Sequence, residues 1–225
     1  MVKSIIIMVS VFFILNGFKA YKFIQENVKK IPKATFEQQL DSFQKLGFKF
    51  NNGITKESLL ESFDKSEFEN DPWNLMYVCL GSTIEKEPYT PITDDCWHFD
   101  AECIEDHGSY VDILENLKRI SKGQLNLENI KDYVDIENEQ AWVSFDFEGK
   151  SYKWNLRIDN DWVDGELFDK IQEVNSVNKN TKKFTVYVLG QDAVIGYMND
   201  KEISEFKKTT KIELKYLEGI NDIGQ

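Results

Sequence analysis

The sequence predicts an α+β protein: an N-terminal membrane helix, then antiparallel β-hairpins packed with several amphipathic helices. Three observations carry that expectation. Residues 5–15 read IIIMVSVFFIL without a charge and follow Lys3, the pattern of a signal peptide or signal anchor. Two later stretches, 141–158 and 184–198, show strand–turn–strand patterning. Around them lie segments whose apolar residues recur at helical intervals.

The leading run is shorter than the ~20 residues that comfortably span a bilayer. It extends through Phe18, Ala20, Tyr21, Phe23 and Ile24 if Lys19 and Lys22 snorkel to the headgroups. Cleavage after Ala20 would place bulky Phe18 where a small residue is expected. An uncleaved anchor is therefore favoured over a removed signal. Lys19, Lys22, Lys29, Lys30 and Lys33 follow the run, which argues for a cytoplasmic C-terminal part. The usual behaviour of N-terminal anchors argues the reverse, and the side stays open. The expected division is 1–24 membrane anchor or signal segment, 25–34 basic linker, 35–217 one α+β domain, and 218–225 tail.

Thr35 and Gln38 have capping-box spacing, with Phe36, Leu40, Phe43 and Leu46 on one face and Gly47 at the end. A short helix from Thr55 carries Leu59, Leu60 and Phe63. Asp71-Pro72 restarts structure, and residues 75–80 are apolar on every side, so helix and strand both fit. Residues 85–108 are the least regular. Tyr110, Ile113, Leu114, Leu117 and Ile120 then mark the clearest helix, with Lys118 and Arg119 at its C-terminal end.

Residues 141–147 and 150–158 flank Glu148-Gly149. If those two form the turn, Phe145 faces Tyr152, Val143 faces Trp154 and Ala141 faces Leu156, all on one side of the sheet. A strand near 130–136 is expected beside them. Asp164 can cap a helix that buries Leu167, Phe168, Ile171 and Val174. Residues 184–189 and 193–198 suit a second hairpin across Gly190-Gln191-Asp192. A helix near 200–208 and an alternating strand at Ile212, Leu214 and Tyr216 complete the chain.

The net charge is −12. So acidic a surface repels phosphate backbones, so no nucleic-acid partner is expected, and it suits a basic protein partner. Cys79, Cys96 and Cys103 are too few and odd in number for a disulfide framework; a Cys96–Cys103 pair depends on geometry.

Chemistry could sit in three places. Asp94, Asp95, Asp100, Glu102, Glu105 and Asp106 form an acid-rich stretch, and Asp159, Asp161 and Asp164 lie in a loop with part of a calcium-loop spacing but with its glycine displaced and without its closing glutamate. Asp94, Asp95, Asp100, Glu102, Asp161 and Asp164 are the expected binding residues. Cys96, His98, Cys103 and His107 are four potential zinc ligands, spaced C-x-H-x4-C-x3-H. Neighbouring Trp97, Phe99 and Ile104 favour packing over metal there. No residue is assigned a catalytic role and no cofactor is expected, since nucleophile-elbow, phosphate-loop and dinucleotide signatures are missing.

Residues 97–104 (WHFDAECI), 108–111 (GSYV), Ala141-Trp142, residues 161–164 (DWVD) and Gly190-Gln191-Asp192 together resemble a family of uncharacterised bacterial proteins. The resemblance spans roughly 71–217. It implies an autonomous domain and no catalytic residue. The reading that combines these points is a non-enzymatic protein-binding domain, membrane-anchored through residues 4–24 in a bacterial envelope. An immunity-type protein neutralising a toxin is its sharpest form. A metal-dependent hydrolase using residues 94–107 is the alternative.

Overall fold

A computed structural model describes residues 33–177 and 181–218. The elements are α1 (Phe36–Lys45), α2 (Lys56–Leu59), α3 (Lys65–Asn70), α4 (Asn74–Gly81), β1 (Cys96–Asp100), α5 (Ser109–Ile120), β2 (Glu128–Asp135), β3 (Gln140–Phe147), β4 (Lys150–Leu156), α6 (Glu166–Ser176), β5 (Lys183–Val188), β6 (Asp192–Met198), α7 (Asp200–Thr210) and β7 (Lys215–Tyr216). They build a four-stranded antiparallel sheet, order β1-β6-β5-β7, and a three-stranded antiparallel sheet, order β2-β3-β4.

The α+β class holds, but the fold expectation needs correcting at its start. Among the described residues no helix is long and apolar enough to cross a membrane. Residues 4–24, on which the membrane helix rested, lie outside the described residues. Within the described residues the architecture is two antiparallel sheets with their helices, and it includes no membrane helix.

The four-stranded sheet is a shared wall between two cores. A strand sends successive side chains to opposite faces. On one face Trp97, Phe99, Ala193, Ile195, Phe184 and Val186 join the larger core, with α5, α6 and the inner side of β2-β3-β4. On the other, Cys96, Val194, Met198 and Tyr187 join a smaller core with α1, α4 and Phe206 of α7. That double burial explains why β6 reads as a nearly unbroken apolar run.

The hairpin register is the one expected. Ala141 pairs with Leu156, Val143 with Trp154 and Phe145 with Tyr152. Glu148 and Gly149 both have positive φ, at 50° and 73°, as a tight turn matched to strand twist requires. The apolar pairs face the larger core, where Phe145 meets Trp154 edge-on at 4.9 Å between ring centres.

α1 carries the expected capping box between Thr35 and Gln38. Ala34, at the end of the expected linker, is already buried. The segment 75–80 is helical. It starts after Trp73, whose φ is 76°, rather than from an Asp71 cap; the Trp73 amide instead donates to buried Gln39 at 2.9 Å. Gln39 also donates to the carbonyls of Ala34 and Phe68, so one amide side chain joins three segments. α3 and β1 escaped the sequence patterns. Gly81, the last residue of α4, lies against β1 so closely that a Cβ there would stand 2.6 Å from the His98 backbone nitrogen.

Candidate functional site

β1 runs directly into the acid-rich segment, and backbone bonds gather three separate stretches around it. The Ala101 amide donates to the Gln191 carbonyl at 3.1 Å, the Val163 amide to the Ala101 carbonyl at 2.9 Å, and the Ile104 amide to the Asp161 carbonyl at 2.9 Å. Glu102 and Trp162 form an isolated β-bridge. The pieces WHFDAECI, DWVD and GQD, far apart in sequence, are therefore neighbours in space.

At their junction Gln191 acts as a clamp. Its side-chain nitrogen donates to Asp100 Oδ1 at 3.3 Å and Glu102 Oε2 at 3.1 Å. The Glu102 amide also donates to Asp100 at 2.9 Å. Asp100 stands directly opposite Asp192 across β1 and β6, an arrangement in which like charges oppose folding. His98 Nε2 lies 3.6 Å from Asp192 on the same face.

Cys103 reports the field of this region. Burial pushes its thiol up to about 12, and the negative charges of Asp100, Asp112, Asp161 and Glu105 push the same way. Asp100, Glu102, Glu105, Asp112 and Asp161 form no ion pair with a lysine or arginine among the described residues. These five carboxylates, brought together from separate segments, thus lack a lysine or arginine ion-pair partner among the described residues.

The six expected binding acids therefore divide. Asp100, Glu102 and Asp161 come together here. Asp94 and Asp95 do not: Asp94 accepts from Arg119 at 3.1 Å and from Asn51 at 3.0 Å, while Asp95 pairs with Lys122 and accepts from the Lys49 amide. They hold the start of β1 to α5 and to the loop after α1. Asp164 is buried, and its carboxylate takes the amides of Arg157 at 2.7 Å and Glu166 at 3.2 Å. It stands just before α6, whose N-cap is Gly165 rather than the expected Asp164, and both of its oxygens accept backbone amides.

The potential zinc ligands do not converge. Cys96 lies in the smaller core, whereas Cys103 packs against the larger one on the other side of the sheet. His98 sits at Asp192, and His107 at Asp106 and the ring of Tyr133. Among the described residues no group of three or more His, Cys, Asp or Glu side chains is placed to hold a metal ion. All three thiols are free. Burial raises Cys79 to about 12 and Cys96 further still.

Sequence reasoning missed two contributors. Gln191 read as a turn residue, and nothing local announces a clamp. Asp132 of β2 receives the backbone amides of Gly108, Tyr110 and Val111 at 2.8–3.3 Å. It thus caps α5 from a distant strand and fixes the loop that carries Glu105 and Asp106.

Compared with known protein families, curated proteins and solved structures, the chain matches none, so the resemblance to uncharacterised bacterial proteins rests on the residues quoted for it.

Proposed function

We propose that the chain is a non-enzymatic protein-binding domain that recognises a basic protein partner through the face formed by Asp100, Glu102, Glu105, Asp112 and Asp161, and that an immunity-type role, neutralising a toxin, is the form of this activity that suits it best. One observation supports the reading above others. Carboxylates from separate segments are gathered around Cys103 without a lysine or arginine to neutralise them, and one of them faces another acid across a strand pair. Such clustering opposes folding, and a cationic partner would relieve it. Gln191 orients two of the carboxylates, so little rotamer freedom is lost when a partner docks.

The test is capture from the native host with the full chain and with an Asp100→Asn/Glu102→Gln/Asp161→Asn variant. A specific basic partner should be retained by the parent. The variant should lose affinity by about tenfold or more, mostly through slower association, and should lose much of its salt sensitivity. Equal capture by both proteins would exclude this face as the recognition surface.

A further inference from the structure

The outer face of the β2-β3-β4 sheet carries a row of four side chains across its three strands. The ring of His107 meets Tyr133 edge-on at 4.8 Å, Tyr133 stacks on Trp142 at 6.2 Å with planes 10° apart, and Lys153 Nζ lies 3.9 Å from the centre of the Trp142 ring. Tyr133 and Trp142 are cross-strand partners, and Lys153 pairs with Ser144 beside them. These rings point away from the larger core, to which the alternate residues Val134, Ala141 and Val143 belong.

Carboxylates frame the row. Asp135 accepts from the Tyr133 hydroxyl at 3.2 Å and from Asn138. Asp146 accepts from Ser151 and from Asn129, and Asp106 from His107 at 2.8 Å. Hydrogen bonds hold these groups in place, but no lysine or arginine among the described residues forms an ion pair with them. The face thus pairs an indole surface already occupied by an ammonium with oriented carboxylates, of which Asp146 also lies in the field of Lys131 without an ion pair to it. A cation over an aromatic face is attracted by the ring quadrupole, and an arginine both stacks and charge-pairs better than a lysine.

We propose that this face seats an arginine-bearing extended segment of a basic protein partner, with the guanidinium displacing Lys153 from Trp142 and bridging to Asp135 or Asp146. The inference rests on the reading that the partner is basic, and it assigns the partner's contact to this sheet face in addition to the face around Cys103. Lys153 is then an internal stand-in for the partner's cation.

Titration of the 15N-labelled full chain with a synthetic arginine-rich peptide tests it, with the indole N–H of Trp142 and the backbone amides of Lys153 and Gln191 followed separately. The Trp142 and Lys153 signals should move. Lys153→Met should tighten binding about three-fold, more than Lys150→Met, which removes the same charge from the same strand without opening the seat. Trp142→Leu should weaken binding several-fold, and replacing arginine by lysine in the peptide should weaken it as well. Shifts confined to Gln191 and its neighbours would overturn the sheet-face site while supporting the face around Cys103. No shift at either place would count against both. Equal effects of Lys153→Met and Lys150→Met would reduce the site to bulk charge, and Trp142 shifts that follow chain concentration without peptide would assign the face to a second copy; either result overturns the proposal.

Discussion

At Asp132 a single carboxylate satisfies the amides of Gly108, Tyr110 and Val111, donors that the first turn of a helix otherwise leaves open. Asp132→Ala should therefore destabilise the protein by about 1–3 kcal/mol in urea unfolding, and Asp132→Asn by less. No sequence pattern shows this, because Asp132 and the helix start that it caps are separated in sequence by the whole of α5. Gly81 shows a different residue-scale constraint. A methyl group there would meet backbone rather than a movable side chain, so Gly81→Ala should cost about 1–3 kcal/mol by the same measurement. The thiols give a third test. With Cys79 and Cys103 raised to about 12 and Cys96 higher, the thiolate is scarce at neutral pH. Iodoacetamide at pH about 8 should modify none of the three at the rate of an unfolded control, and urea should restore all three.

At the scale of elements, the β3–β4 hairpin was the most legible part of the fold. Its turn residues and its alternation specify the same register, so local and tertiary preferences agree. The helix α5 was legible for the same reason, with one apolar face and basic residues at its end. β1 was not. It has only five residues, with Cys96 in one core and Phe99 in the other, so its alternation is too short to mark a strand, and the prolines before it suggest irregular chain. α4 stayed ambiguous because an apolar run without a polar face fits either element. The site followed the same division: Asp100, Glu102 and Asp161 were named from their segments, whereas their clamp, Gln191, comes from a turn whose position depends on the whole sheet. Phe145→Ala should lower stability by about 3–5 kcal/mol, since it removes a buried ring packed on Tyr152 and Trp154.

At the scale of the whole molecule, charge sets the response to pH. The Asp146 carboxyl is held below the ordinary range by Ser151 and Asn129, and Asp135 by Asn138 and Tyr133. A carboxyl whose folded pKa is depressed contributes stability that is present above its unfolded value, ~3.9 for aspartate, and is lost as pH falls through the lower folded value. The large negative charge acts in the opposite sense, because protonation of crowded acids relieves their repulsion. Thermal melts between pH about 7 and 2 should therefore show little loss, or a small gain, on approach to the ordinary carboxylate range, and a steep fall below it. Replacing Asp146 with Asn should reduce that lower fall.

β6 pairs with β1 on one side and β5 on the other, and every residue from Ala193 to Met198 is buried. Its amides can meet solvent only when both neighbours part, which separates the two cores as well. In deuterated buffer these amides should be the last to exchange, at a rate set by global unfolding, whereas those of the two-residue strand β7 should exchange sooner. The slowest peptide in a mass-spectrometric time course would thus measure the stability of the entire domain without a denaturant.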